Sequence, residues 1–320
     1  MNRLVRGLAL AAASLLVTHP GLAQYPNKPI RLVVPFAPGG PTDTVARIVG
    51  QNLAEQWSQA FVVENKPGAD ALIAAEFVAK SAPDGYVLLV TIDSTLTINP
   101  TLYPKLPYDP VKSFAPISTL TRQPFLISVN AGFPAKSLRE LVDYAKAHPG
   151  KVNYGAGAIT PQVAGELFKR TTGTQMVLIR FKGAAPNIQA LLSGTIDVAF
   201  TDIGTALPHI RQGRLRPIAT TGLQRANSLP DVPTVAEEGY AGFEVGFWNG
   251  IVAPAGTPQT IIGKLSRGIR VALEAPDTVA KLAALGLEVS SSSPEELSAL
   301  ITADTQKWRS VIAAAGLQLD

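Results

Sequence analysis

The chain has no cysteine among its 320 residues. Disulfides, thiolate metal sites and thiol redox chemistry are therefore excluded. A chain of this length does not depend on such cross-links, because it buries enough apolar surface for one large core or two medium ones. Charge is sparse as well, at 16% of residues, which suits a compact α/β protein with buried strands. Basic and acidic side chains nearly balance, 28 against 24. No polybasic run appears, so the electrostatic footprint of a nucleic-acid-binding protein is missing. Beyond residue 23 no segment approaches the roughly 18 consecutive apolar residues of a membrane-spanning helix.

Catalytic and metal-ligating patterns are equally scarce. Of the three histidines, His148 and His209 lie beyond the first 23 residues, each beside a proline and read as surface positions. No G-x-S-x-G, P-loop, H-E-x-x-H or S-x-x-K arrangement occurs. The sequence therefore reads as a protein that is not an enzyme and needs no metal or cofactor. A secreted α/β hydrolase or isomerase is the rival reading, and no nucleophile–base pair can be assembled for it.

The first residues carry a targeting pattern. Arg3 and Arg6 form a positive n-region, Leu8 to Val17 an apolar h-region, and Gly21-Leu22-Ala23 a small-residue cleavage site. Cleavage after Ala23 makes residues 1–23 a signal peptide and Gln24-Tyr25-Pro26 the mature start, placing the protein in the periplasm. No cysteine stands at the cut, so a lipoprotein anchor is excluded.

Short β-rich runs then alternate with helical patterns. Strands are expected at Ile30–Val34, Phe61–Glu64 and Tyr86–Val90, with helices at about Asp43–Gln56 and Ala71–Ser81. This spacing is that of a parallel sheet. A second series has strands at Phe125–Val129, Val152–Tyr154, Val177–Phe181, Val198–Phe200 and Pro217–Thr220. Its helices begin at Ser137, where Glu140 gives capping-box spacing, and at about Pro161–Thr171, Ala185–Leu192 and Thr205–Gln212. Thr257-Pro258 and Ser293-Pro294-Glu295-Glu296 each place an N-cap before a proline at the first helical position. Packing this helical tail on the first sheet predicts a discontinuous domain, 24–124 plus 250–320, with 125–249 as the second domain and two crossing segments as a hinge. Trp248 and Phe247, near the second crossing, read as hinge packing.

Two loops stand out, one per domain. Pro35-Phe36-Ala37-Pro38-Gly39-Gly40-Pro41-Thr42-Asp43 joins strand one to helix one; Gly155-Ala156-Gly157-Ala158-Ile159-Thr160 precedes the helix at Pro161. Both lie at the carboxyl end of a strand, where open α/β sheets bind ligands. Helix N-termini leave unpaired N–H groups and partial positive charge, so both favour an anion. Neither loop holds Arg or Lys, which points to recognition by backbone N–H groups and hydroxyls. Ordinary tight turns are the plainer alternative for either loop alone. A dinucleotide fingerprint at Gly155-Ala156-Gly157 is incomplete: Thr160 replaces the third glycine, no acidic residue ends the next strand, and only Arg180 could be argued for a 2′-phosphate. Asp202, after a strand, reads as a hydrogen-bond acceptor or a helix cap.

At these loops the chain resembles the substrate-binding receptors of tripartite tricarboxylate transporters, the Bug receptors. The stretches that carry the resemblance include Val34-Pro35-Phe36-Ala37-Pro38-Gly39-Gly40 with Asp43, Val63-Glu64-Asn65-Lys66-Pro67-Gly68-Ala69 and Pro83-Asp84-Gly85-Tyr86. They continue through Asn99-Pro100-Thr101-Leu102-Tyr103, Leu106-Pro107-Tyr108-Asp109-Pro110, Phe181-Lys182-Gly183-Ala184-Ala185-Pro186, Leu229-Pro230-Asp231-Val232-Pro233-Thr234 and Ala253-Pro254-Ala255-Gly256-Thr257-Pro258. The resemblance implies an α/β periplasmic-binding-protein-like Venus flytrap, two α/β domains closing on a small organic carboxylate, aliphatic or aromatic, mono- or dibasic. It implies delivery to membrane permease subunits by a monomeric receptor; presentation to a membrane sensor kinase is the alternative. The residues expected at the ligand are Phe36, Gly39, Gly40, Thr42 and Asp43 from the first loop, with Ser94 and Thr95 from the pocket region that the resemblance implies around Asp93 to Thr95. From the second domain they are Ala156, Gly157, Ile159, Thr160, Thr201 and Asp202. Two departures stand near the cleft: Asp70-Ala71-Leu72-Ile73-Ala74 where the family usually has glycines, and a shortened second loop lacking a histidine between Gln162 and Val163. Were Asp70 to face the pocket, it would disfavour a second carboxylate or favour an amine.

Overall fold

The computed structural model describes residues 25–315; the expected signal peptide lies outside the described residues. Strands β1 (Ile30–Val34), β2 (Phe61–Asn65) and β3 (Val87–Ile92) run parallel with β1 in the middle. Leu32, Val33 and Val34 are buried in succession, as a parallel strand covered on both faces requires. Helix α1 (Pro41–Trp57) connects β1 to β2 and α2 (Leu72–Ala79) connects β2 to β3. Ahead of α2, Ala69, Asp70 and Ala71 all take positive φ, at 45°, 47° and 76°. A left-handed backbone costs a residue with a Cβ roughly 1–2 kcal/mol. This turn is therefore strained where the sequence departs from glycine.

Two short helices missed in the sequence reading, α3 (Asp93–Thr97) and α4 (Asn99–Leu102), follow β3. Strand β4 (Phe114–Asn130) is much longer than the five residues expected. Its first part pairs antiparallel with β9 (Gly246–Pro254), ending at Pro124 opposite Gly246; from Phe125 onward it pairs with β7 (Val198–Asp202). Proline has no N–H to continue a ladder, so Pro124 marks where β4 changes partners. Beyond it, β5 (Val152–Ala156) lies between β6 (Met176–Arg180) and β7, parallel to both. The sheet runs β2-β1-β3-β9-β4-β7-β5-β6, and β8 (Leu215–Thr220) and β10 (Glu288–Val289) also pair with β4.

The remaining helices are α5 (Leu138–Ala147), α6 (Ile159–Thr172), α7 (Ala184–Leu192), α8 (Ile203–Arg211), α9 (Gln259–Glu274), α10 (Pro276–Ala284) and α11 (Pro294–Ala315). The Ser137 hydroxyl accepts from the Glu140 amide. At α11 the capping box closes in both directions, with the Glu296 amide on Ser293 Oγ and the Ser293 amide on Glu296 Oε2. The expected cap at Thr257 is corrected: Pro258 holds the N-cap position, and the Thr257 hydroxyl donates to the Pro254 carbonyl. Helix α9 buries Ile262, Leu265 and Ile269 against β1 and α1 residues. Helix α11 straddles two cores: Leu297 and Ile301 pack with Val33, Leu89 and Trp248, whereas Trp308, Val311 and Ile312 join Phe168, Phe200 and Ile127.

Candidate ligand-binding site

The carboxyl ends of β1, β3, β5 and β7 converge on a chamber of about 270 Å³. Four phenylalanines line it: Phe36 from the β1–α1 loop, Phe125 from β4, Phe200 from β7 and Phe247 from β9. The Phe125 and Phe247 rings lie 5.4 Å apart, tilted by 30°. Polar groups are few: Thr42, Thr160, Thr201, Asp202 and Asp93. An adjoining vestibule of about 500 Å³ shares Phe36, Ile92 and Gly157 with the chamber and adds Arg180, Lys182, Asp70, Ser94, Asn99 and Gln162. Its mixed charge sits beside an apolar chamber, so the cleft is graded from an oily end to a wet one.

Two helix starts face this space. Helix α1 has Gly40 at its N-cap and α6 has Ala158, and neither receives a side-chain cap. Their first-turn N–H groups are thereby open to an anion, which the helix dipole also favours. At α8, by contrast, Asp202 caps: its Oδ1 accepts from the Thr205 amide at 2.7 Å and the Thr205 hydroxyl at 2.8 Å. The second loop is held close to the β6–α7 loop. The Gly183 amide donates to the Gly157 carbonyl at 3.0 Å, and a Cβ on Gly157 would run into the Gly183 carbonyl and the Ala184 amide. This backbone approach, not a dinucleotide, explains the glycine.

Of the expected residues, Phe36, Thr42, Gly157, Thr160, Thr201 and Asp202 line the chamber; Ser94, Ala156 and Ile159 line the vestibule. Gly39, Gly40, Asp43 and Thr95 line neither. Asp43 is instead a staple for the first loop. Its carboxylate accepts from the Gly39 amide, Asn65 Nδ2 and the Arg47 guanidinium, each at 2.9 Å. Burial pushes this carboxyl up, but the hydrogen bonds from Arg47, Gly39 and Asn65 prevail and hold it below its ordinary range. The Gly39 N–H is therefore already engaged. Thr95 is fully buried and its carbonyl accepts from the Tyr108 hydroxyl at 2.6 Å.

Several lining residues escaped the sequence reading. Phe125, Phe200 and Ile92 look like ordinary strand residues, and only the sheet's closure turns them toward the cleft. Phe247, read as hinge packing, lines the chamber. Trp248 does pack, its Nε1 donating to Asp304 Oδ2 at 2.9 Å. Asp93, in the region that the resemblance implied for the pocket though not singled out as a ligand residue, also lines the chamber and is fully buried. The Thr160 hydroxyl, from α6, donates to its Oδ2 at 3.3 Å, while Oδ1 has no partner. Burial, then the nearby Asp304, push this carboxyl well above the usual range, against the Ser94 amide and the Thr160 hydroxyl. Asp70 lines the vestibule, with Oδ2 accepting from the Tyr103 hydroxyl at 2.5 Å.

Residues 45–317 match the profile of the tripartite tricarboxylate transporter family receptor. The protein BugT of Bordetella pertussis is 34% identical over 100% of this chain and 99% of its own length. Among solved structures, Rpa4515 of R. palustris with adipate superposes with a TM-score of 0.83 at 33% identity, covering 92% of this chain and 99% of that one. MatC of Rhodopseudomonas palustris with bound malate gives 0.78 at 34% identity, over 90% and 100%. The periplasmic binding protein BugD gives 0.79 at 34%, over 92% and 99%. These relatives are solute-binding proteins rather than enzymes, and they share the mixed α/β fold found here. The chain belongs to the tripartite tricarboxylate transporter receptor family.

Proposed function

We propose that this chain is a periplasmic receptor for a small organic carboxylate with an apolar body, aromatic or aliphatic, which it delivers to membrane subunits of a tripartite tricarboxylate-type transporter. The observation that carries this reading is the chamber itself: four phenylalanine rings beside the uncapped starts of α1 and α6. The carboxylate sits at the helix starts, bound by N–H groups of Thr42, Ile159 and Thr160 and by hydroxyls. The ligand body gains about 25 cal/mol for each Å² of apolar surface that the rings remove from water. A distal polar group reaches Arg180 and Lys182 in the vestibule. The adipate of Rpa4515 and the malate of MatC support a carboxylate.

In the same reading residues 1–23 direct export and are removed. Residues 24–124 with 250–320 form one closing unit and 125–249 the other, the chain crossing at Pro124/Phe125 and at Asn249/Gly250. The receptor acts as a monomer, and ligand shifts it toward the closed form.

A thermal-shift panel of citrate, malate, adipate, benzoate, phthalate isomers, aspartate and glutamate tests this. A ligand at 100 times its dissociation constant stabilises by about 2.7 kcal/mol, or roughly 5–10 °C at about 2–4 °C per kcal/mol. Benzoate- or adipate-like members should outrank citrate. Silence across the panel, on protein refolded free of copurified ligand, refutes the reading.

A further inference from the structure

We propose that Asp93 serves the site as a neutral carboxylic acid that donates its proton in a hydrogen bond to the bound anion, so that the receptor carries a proton into the complex. The inference rests on the carboxylate reading above and deepens it. Asp93 closes one side of the chamber with no solvent-exposed surface, yet only Oδ2 has a partner, the Thr160 hydroxyl at 3.3 Å. Oδ1 is buried without a hydrogen-bond partner, and the Ser94 amide and the residue's own amide, which also act on the carboxyl, leave it raised. An ionised carboxylate in that position is acceptor-only and would repel an anionic ligand, and a buried unpaired charge is costly. A protonated Oδ1 is a donor, and the chamber it borders is where an acceptor arrives.

The groups around Asp93 favour that state. Strands β3 and β9 and helix α4, all packed on α3, contain no titratable side chain. Helix α11 contributes Asp304, a like charge, with Lys307, Arg122 and Glu244 acting on Asp304. Across the chamber stands Asp202, occupied as a helix cap. Arg180 and Lys182 line the vestibule and not the chamber. The balance of burial and the Asp304 charge raises Asp93 well above the ordinary carboxyl range. A buried acid held neutral so that it can donate is an established device for recognising a negative oxygen. It also gives specificity: a cleft whose acid donates rejects a ligand that presents an ammonium there.

Infrared difference spectra of wild type against Asp93→Asn, ligand-free at pH 7, test the protonation directly. The wild type should show a carboxylic-acid C=O stretch that the variant lacks; Asp304 is common to both and cancels. Benzoate and adipate are then added, and the band should move with whichever probe raises the melting temperature. Asp93→Asn, which keeps a donor, should hold that probe within about threefold of wild type. Asp93→Leu, similar in size but without a donor, should bind it roughly 10- to 100-fold more weakly. Absence of an Asp93-dependent band overturns the proposal, as does a band that ignores a probe that stabilises the protein. If neither probe stabilises wild type, the strongest binder of the carboxylate panel takes their place, and silence across the whole panel fails the carboxylate reading and this inference with it. The ligand-free band keeps the two failures distinguishable.

Discussion

Gly157→Ala isolates the contact on which the second half of the cleft depends. Gly157 does not adopt a left-handed backbone, so alanine meets no conformational penalty there. The added Cβ instead meets the carbonyl of Gly183 and the amide of Ala184, which are backbone atoms and cannot swing aside as a side chain would. Overpacking of this kind costs about 1–3 kcal/mol, a fall of roughly 2–10 °C in melting temperature. The strain has two outlets. Either the Gly155–Thr160 loop withdraws, carrying the Ile159 and Thr160 N–H groups, or the β6–α7 loop withdraws, carrying Gly183 and Ala184 from the chamber wall. Both displace groups next to the ligand, and hydrogen bonds to a charged group are worth about 1.5–3 kcal/mol. Affinity for the strongest binder in the carboxylate panel should therefore drop roughly 10- to 100-fold by calorimetry. Gly150→Ala is the control, because Gly150 has φ of 71° and nothing within 4 Å of a Cβ. It should lose stability through its backbone conformation while binding as wild type does. A Gly157→Ala protein that melts and binds like wild type would refute the described approach of the two loops.

Two other substitutions test separate parts of the argument. Ala71→Gly relieves a φ of 76° and should raise stability to urea by about 1 kcal/mol; an unchanged or lowered midpoint would mean that the turn is not strained. Burial, with Glu244 assisting, raises the Asp304 carboxyl despite the Trp248 indole, Lys307 and Arg122. A carboxyl raised on folding contributes its full stability below the unfolded value, near 3.9, and loses it as pH rises through the folded value. Asp304→Asn should thus gain on wild type as pH rises from 4 to 8 in denaturation midpoints, whereas a constant difference would contradict the shift. Trp248→Phe leaves Asp304 without its indole donor and should cost about 1–3 kcal/mol.

The strands that were legible are those whose signal is local. Ile30–Val34 is a short apolar run between Pro29 and Pro35, buried almost throughout, and Phe61–Val63 is a β-branched and aromatic run that reads as a strand although β2 is a half-buried edge strand with Val62 exposed. The Ser137 and Ser293 caps were legible because a hydroxyl three residues from a Glu is a complete local device. Strand β4 was half missed because Pro116 and Pro124 argue against a strand. They are tolerated at irregular or exchanging positions, the register shifting after Pro116 and the partner changing at Pro124. The site divides on the same principle. Residues near strand ends, such as Thr42 and Gly157, could be placed by the rule that open α/β sheets bind ligands there, and Thr201 by the family resemblance. Asp43 obeyed that rule in sequence but not in space, because Arg47 one turn later, Asn65 on the neighbouring strand and its own loop amide claimed its carboxylate first. Phe125, Phe247 and Asp93 depend on which face of a long strand or short helix turns inward, and that is decided by partners more than 50 residues away in sequence. Asp93 shows the limit most clearly. The family resemblance implied a pocket region around Asp93, but nothing in Thr91-Ile92-Asp93-Ser94 itself distinguishes a helix-opening aspartate on the surface from a fully buried one whose second oxygen waits for a partner. Only the crossing of α11 beneath it and of α6 beside it turns an ordinary carboxylate into a group with chemistry of its own.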